Sequence, residues 1–279
     1  MRSLLTAPPT IGVFDSGFGG LTVLRALVRR FPQARFAFIG DTARLPYGSK
    51  SRRTIARYAV ESAQFLVREQ GADFLVIACN TASALALDAI EAAVPVPVLG
   101  VIQPGAMAAR TASRMGDVLV IATDATVQSH AYAAACQAQG LRALEKACPL
   151  LVPLVEEGWT DHPVTAQVIR IYLDESLADA LGKGLHPDTL VLGCTHYPLL
   201  RPLIEASVPP GMSVIDSAES TAEAAVRLIN GRAAASPTVA DSNALIRCFA
   251  TDSVEKFQRL GSRFLGRPVG EVELVDLGG

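Results

Sequence analysis

Two segments far apart in the chain share one design. The first reads Leu75-Val76-Ile77-Ala78-Cys79-Asn80-Thr81-Ala82-Ser83 and the second Leu190-Val191-Leu192-Gly193-Cys194-Thr195-His196-Tyr197-Pro198. Each is an unbroken apolar run that ends in a small residue, then a cysteine, then residues able to cap a helix. A run this short and apolar, with a helical pattern behind it, predicts a strand buried on both faces that enters a βα turn. Open α/β sheets bind ligands at the carboxyl ends of their strands, where both cysteines fall. The duplication therefore constrains the chain to an α/β fold of two similar halves, with a thiol at an equivalent point in each.

The remaining pattern agrees. Strands are predicted at Ile11–Asp15, Ala34–Gly40, Val94–Ile102, Val118–Thr123, Leu150–Val155, Ser213–Asp216, Ala244–Ala250 and Val272–Leu277. Helical patterns lie between them at Leu21–Phe31, Ser51–Gln70, Ala82–Ala93, from Pro104-Gly105 onward, up to Gln139, and at Pro163–Leu181, Tyr197–Val208, Thr221–Ile229 and Val254–Leu265. Such βα alternation predicts mostly parallel sheets flanked by helices. We expect two pseudo-symmetric lobes with the active site between them. Residues 1–102 with 212–279 form the Cys79 lobe and 103–211 the Cys194 lobe, with Pro209-Pro210-Gly211 marking the return. The stretch Gly231–Asn243 reads as polar connection.

Composition narrows the function. Half of the 279 residues are hydrophobic and the net charge is −2, without a basic or acidic block, so neither a nucleic-acid nor a membrane surface is predicted. Met1–Thr10 carry one arginine and no apolar core of a leader, and no run reaches the roughly 20 residues of a membrane span. Five cysteines without framework spacing argue against a disulfide scaffold and for a reducing cytoplasm. Cys136, Cys148 and Cys248 read as small core or surface residues. Only four histidines exist and no C-x-x-C pair occurs, which argues against a zinc site. Gly17, Gly19 and Gly20 imitate a dinucleotide fingerprint, but Thr22 stands where its third glycine belongs.

The residues around the two cysteines suggest proton chemistry. Thiolates are the reactive form, and a helix N-terminus favours negative charge, so both thiols are expected to be lowered in pKa. The N–H groups of Asn80, Thr81, Thr195 and His196 would serve as donors to a carboxylate. Asp15 and Ser16, at the first strand's tip, suit an ammonium group; the alternative for Asp15 is a helix cap. These features describe an α-amino acid with a thiol on each face of Cα, where one thiol removes the α-proton and the other delivers one. Asp15 would assist one thiol and His196 the other. Glu156 follows an apolar strand that could aim it inward. A cysteine hydrolase using Cys194 and His196 is a rival that leaves Cys79 unexplained. A passive small-ligand binding protein is another.

These motifs resemble the cofactor-independent glutamate racemases of the aspartate/glutamate racemase superfamily. The resemblance runs through Ile11–Gly17, Gly40-Asp41-Thr42 with Pro46-Tyr47-Gly48, Ala78–Ala82, Gly100–Ala106, Pro153–Glu156 and Leu192–Pro198. It implies Cys79 and Cys194 as acid/base thiols, with Asp15 assisting Cys79 and Glu156 and His196 assisting Cys194. It also implies substrate contacts from Asp15, Ser16, Pro46, Tyr47, Gly48, Asn80, Thr81, Thr123, Thr195 and His196. At Thr123 the family's usual Gly-Thr is Ala122-Thr123 here. Further implications are glutamate as substrate, no cofactor and no metal, a bacterial cytoplasmic homodimer, and D-glutamate made for peptidoglycan. Aspartate racemase is the nearest alternative.

Overall fold

The structure, a computed structural model, describes residues 8–230 and 244–278. The polar stretch expected at Gly231–Asn243 lies outside the described residues. The chain divides into two compact units, Met1–Val101 with Ala218–Gly279, and Ile102–Ser217.

The first unit begins with β1 (Thr10–Asp15), α1 (Leu21–Arg30), β2 (Arg35–Gly40), α2 (Arg52–Arg68), β3 (Phe74–Ile77), α3 (Asn80–Leu85), α4 (Leu87–Ala93) and β4 (Val98–Gly100). The second unit contains α5 (Ile102–Ala112), β5 (Asp117–Ala122), α6 (Asp124–Gln128), α7 (Ala131–Ala138) and β6 (Arg142–Ala147). It continues with α8 (Leu151–Glu156), α9 (Pro163–Gly182), β7 (Thr189–Gly193), α10 (Arg201–Glu205) and β8 (Ser213–Asp216). Helix α11 (Ser217–Asn230) leads back to the first unit, which closes with β9 (Leu245–Ala250), α12 (Val254–Leu265) and β10 (Val272–Leu274).

Both sheets are parallel, in the order β10-β9-β2-β1-β3-β4 in the first unit and β6-β5-β7-β8 in the second. The expected α/β class with two parallel sheets is borne out. The stretch β2-β1-β3-β4 has the same winding as β6-β5-β7-β8. Strand β1 therefore corresponds to β5 and β3 to β7. In each sheet the chain leaves the central strand in one direction and returns on its other side, which opens a crevice at the carboxyl ends. Asp15 ends β1 and Cys79 follows β3; Thr123 follows β5 and Cys194 follows β7. The two cysteines thus occupy equivalent points of two equivalent windings.

Burial explains why these strands were legible. All four residues of β3 and all five of β7 are buried. Around the first sheet, Phe18 packs against Phe264 with ring centroids 5.7 Å apart, and Phe38 against Phe257 at 5.9 Å, which seats α12. Two glycines let the strand tips crowd together. A Cβ on Gly20 would lie 2.6 Å from Asp15 Cβ, and one on Gly40 would lie 2.1 Å from the Gly17 carbonyl oxygen. The glycine-rich turn after β1 thus serves close backbone approach.

Several boundaries differ from expectation. The strand expected at Leu150–Val155 is instead the helix α8, Leu151–Glu156: Pro153 could not donate within a sheet, yet is harmless near a helix start. The edge strand beside β5 is instead Arg142–Ala147, whose half-exposed polar sequence carries no apolar run. Only Val98–Gly100 of Val94–Ile102 is strand, because Pro95 and Pro97 supply no donors and Ile102 already begins α5. His130, at φ 54°, separates α6 from α7 where one helix was expected. Ala86 divides α3 from α4. Tyr197–Val208 is a 3-10 turn over Tyr197–Leu200 followed by α10. Strand β8 pairs with β7, so the return to the first unit falls at Ala218 rather than at 212.

Candidate active site

In the first unit, Asp15, Ser16, Tyr47, Gly48, Cys79, Asn80 and Thr81 all lie at or beyond the carboxyl ends of β1, β2 and β3. Asp15 is buried, and its Oδ2 accepts from the Gly17 N–H at 3.0 Å. It therefore shapes the turn after β1, while Gly20 occupies the cap position of α1. The Cys79 thiol donates to Ser16 Oγ at 3.4 Å and its sulfur accepts from the Ala82 N–H at 3.4 Å, so Cys79 caps α3. Asn80 and Thr81 are buried in the first turn of that helix.

The electrostatics at Cys79 run against the expectation of a lowered thiol pKa. Burial pushes the thiol up to about 12, and the Asp15 charge adds to the rise. The Ser16 hydroxyl and the backbone donors of Ala82 and Ser16 pull the other way without prevailing. A six-residue helix turn offsets only part of the cost of burying a thiolate. Cys79 is consequently a neutral thiol at pH 7.

The Pro46-Tyr47-Gly48 loop follows β2. Pro46 is exposed, whereas Tyr47 is buried with its ring 6.1 Å from that of Phe14 and 6.2 Å from that of Tyr58. Its hydroxyl donates to Asp41. Burial, and then the Asp41 charge, hold the phenol far above its ordinary value.

In the second unit, Thr123 follows β5, Cys194, Thr195 and His196 follow β7, and Glu156 ends α8. Cys194, Thr195 and His196 are buried. Here Cys194–His196 form a turn, and the 3-10 helix starts only at Tyr197. The expected helix-start donors Thr195 and His196 thus belong to that turn. It folds the imidazole back, so that His196 Nδ1 lies 3.9 Å from Cys194 Sγ. His196 Nε2 lies 3.4 Å from Glu156 Oε1. A thiol, an imidazole and a carboxylate therefore stand in sequence, suited to passing a proton to and from sulfur. Thr123 Oγ1 is 2.9 Å from Thr126 Oγ1. Cys136, Cys148 and Cys248 are buried in the core. Among the described residues, no group of three or more His, Cys, Asp or Glu side chains is placed to hold a metal ion, and no helix is long and apolar enough to cross a membrane.

The sequence matches the Asp/Glu/hydantoin racemase family over residues 11–225. The glutamate racemase of Koribacter versatilis (strain Ellin345) is 54% identical, across 97% of this chain and 98% of its own. Among solved structures, the glutamate racemase isoform RacE1 from Bacillus anthracis has a TM-score of 0.85 at 37% identity, covering 96% of this chain and 98% of that one. The glutamate racemase from Francisella tularensis subsp. tularensis SCHU S4, in complex with D-glutamate, has a TM-score of 0.83 at 34% identity, covering 98% and 99%.

The chain belongs to the Asp/Glu/hydantoin racemase family. It is an isomerase.

Two buried groups of this racemase lie next to the residues expected from the sequence. Tyr132, on α7, is fully buried, and its hydroxyl is hydrogen-bonded to the Ser217 side chain. A Cβ at Gly193 would come within 3.0 Å of the Tyr132 ring and one at Gly105 within 3.2 Å. Tyr132 thus packs beneath the β7 tip that presents Cys194. Asp41, directly after β2, is the acceptor for the Tyr47 hydroxyl. The visible signal in each case is a polar or aromatic residue amid small ones, which is too common to single out unaided.

Proposed function

We propose that this racemase interconverts L- and D-glutamate without a cofactor, with Cys79 and Cys194 exchanging the roles of acid and base at Cα. One observation carries the reading: each of two equivalent windings ends in a buried cysteine with a proton-handling neighbour of its own. Cys79 has Ser16 in contact and the Asp15 charge beside it. Cys194 has His196, and behind it Glu156. Inversion requires one proton to leave from one face and another to arrive at the opposite face, so two like groups serve both directions.

In this reading Cys79 deprotonates D-glutamate and Cys194 deprotonates L-glutamate. Asp15 and Ser16 take the ammonium group. The main-chain donors of Asn80, Thr81 and Thr195, with the Tyr47-Gly48 turn, take the carboxylates. Hydrogen bonds to the developing enediolate, in a site closed to water, carry the stabilisation that the carbanion needs. The raised thiol of Cys79 fits the acid half of the cycle, since a neutral thiol is ready to protonate the carbanion. The substrate assignment draws on the similarity to the 54% identical glutamate racemase of Koribacter versatilis and to the Francisella tularensis enzyme in complex with D-glutamate. The same reading includes a homodimer in a bacterial cytoplasm that supplies D-glutamate for peptidoglycan.

The deciding experiment incubates the purified chain with each L-amino acid in D₂O and follows α-deuteration and optical rotation. Glutamate should exchange and racemise, with borohydride and chelator leaving activity intact. Racemisation of aspartate but not glutamate would overturn the substrate assignment. Absence of any exchange would favour a hydrolase or a binding protein.

A further inference from the structure

Asp41 is fully buried, and nothing in the proton transfers described above uses it. Its carboxylate nevertheless gathers three side-chain donors. Arg44 Nε and Thr251 Oγ1 each reach Oδ1 at 2.9 Å, and the Tyr47 hydroxyl reaches Oδ2. Its own N–H donates to the Asp15 carbonyl at 3.1 Å. A buried carboxylate is costly unless paired and hydrogen-bonded, and here both conditions are met. Arg44 is held in turn by Glu61 and lies over the Tyr58 ring, 4.1 Å from its centroid.

Two features distinguish this arrangement from an ordinary interior ion pair. The first is the direction of Tyr47. With its hydroxyl on Asp41 and its ring against Phe14 and Tyr58, the side chain of this buried residue is engaged within the fold, which leaves its main chain for a ligand. The location of the Tyr47-Gly48 backbone is then set by the location of Asp41. The second is the reach of the network along the chain. Thr251, just beyond β9, bonds Asp41 and also accepts from the Ala43 N–H at 2.9 Å, while Thr42 Oγ1 accepts from the Asp252 N–H at 2.9 Å. The loop after β2 is therefore pinned by a strand tip outside the matched span of residues 11–225. Through the Asp41 N–H the same network touches the backbone of Asp15.

We propose that Asp41 and Thr251 are positioning residues for the racemase reaction: Thr251 orients the Asp41 carboxylate, and Asp41 sets the Tyr47-Gly48 turn relative to the Asp15-Ser16 turn, which fixes the affinity for the amino-acid substrate. The proposal rests on the glutamate reading above. Neither side chain moves a proton, so its signature is weakened binding with the chemical step largely retained.

The test compares Thr251→Val, Thr251→Ser and Asp41→Asn with the unmodified chain. KM and kcat are measured for both glutamate enantiomers, and the Kd for glutamate by calorimetry. Thr251→Val keeps the shape and removes the donor; KM and Kd should rise about tenfold, while kcat stays within about threefold. Thr251→Ser keeps the hydroxyl and should stay within about twofold of the unmodified chain. Asp41→Asn should weaken binding further, and if it does not fold the Thr251 pair decides alone. The proposal is overturned if folded Thr251→Val binds glutamate normally, if its loss is confined to kcat, or if Thr251→Ser is equally impaired. Failure of the unmodified chain to racemise glutamate would instead overturn the functional reading, and this proposal with it.

Discussion

His196 Nε2 lies 3.4 Å from Glu156 Oε1, at the end of α8. The other ring nitrogen faces Cys194, so in the proposed reaction the carboxylate would stabilise the imidazolium that forms when the thiol passes its proton to the ring and that is lost when the thiol regains it. Replacing Glu156 by Gln should lower kcat/KM by about 10- to 100-fold. The loss must be equal in both directions, because enantiomers have an equilibrium constant of one. The asymmetry should appear in isotope effects. With Cys194 impaired, the primary effect from α-deuterated L-glutamate should grow more than that from the D enantiomer. Asp15→Asn, acting on Cys79, should show the reverse. Initial-rate isotope effects on kcat/KM check this, and equal changes for both enantiomers would refute the assignment of helpers.

Gly40→Ala tests the crowding of the strand tips. The added methyl would lie 2.1 Å from the Gly17 carbonyl oxygen and 2.7 Å from the Phe257 ring. A backbone atom has no rotamer with which to escape, so the turn carrying Ser16 must move. We expect a stability loss of about 2 kcal/mol or more and at least a tenfold fall in kcat/KM. Urea unfolding and a racemisation assay would reveal it, and a stable, fully active variant would contradict the tight approach.

Asp188 precedes β7 and accepts from Ser113 Oγ at 2.7 Å, from the N–H groups of Arg114 and Met115 at 2.7 and 2.9 Å, and from Thr189 Oγ1 at 3.1 Å. Burial alone would raise its pKa, but these donors outweigh burial and hold it below 3.8. A lowered carboxylate stabilises the fold above its ordinary pKa and loses that contribution as pH falls through the folded value. Asp188→Asn should therefore cost about 1–3 kcal/mol at neutral pH. The difference from the unmodified chain should shrink as pH drops below 3.8. Denaturant midpoints across acid pH measure it.

Cys248 behaves oppositely at the alkaline end. Burial on β9 pushes its thiol from 9.0 up to about 12. A raised thiol contributes stability below 9.0, and the contribution is lost as pH rises towards 12. Cys248→Ala should be less stable than the unmodified chain at pH 8. The gap should narrow through pH 9 to 11, by at most about 1.4 kcal/mol per pH unit. Paired urea titrations would show it, and a constant gap would mean that this thiol does not stay neutral.

The duplicated plan was legible because its evidence is local. Strands β3 and β7 are buried throughout, so their sequences are continuous apolar runs, and the residue after each run must sit at a sheet's carboxyl end. This places Cys79 and Cys194, and with them Asp15, Asn80, Thr81, Thr195 and His196, without any knowledge of packing. Strand β6 was illegible for the converse reason. It lies at a sheet edge, partly wetted, and its residues Arg142, Glu145 and Lys146 give no apolar signal.

What the sequence by itself determined was the parallel α/β plan, the two equivalent thiols and the turns beside them, since apolar runs and glycine positions report their own backbone directly. Tertiary structure alone decided which partners those groups meet. Glu156 approaches His196 because Leu151–Glu156 winds as a helix, although the same residues have the hydropathy of a strand. Thr251 meets Asp41 across 210 positions because β9 pairs with β2 in register, Ile39 with Phe249 and Gly40 with Ala250. The Cys79 thiol is raised rather than lowered because the depth of burial, a property of the whole fold, outweighs the donors of one short helix. Hydrogen-bond partners and burial are sums over contacts from many parts of a chain, and no local pattern encodes such a sum.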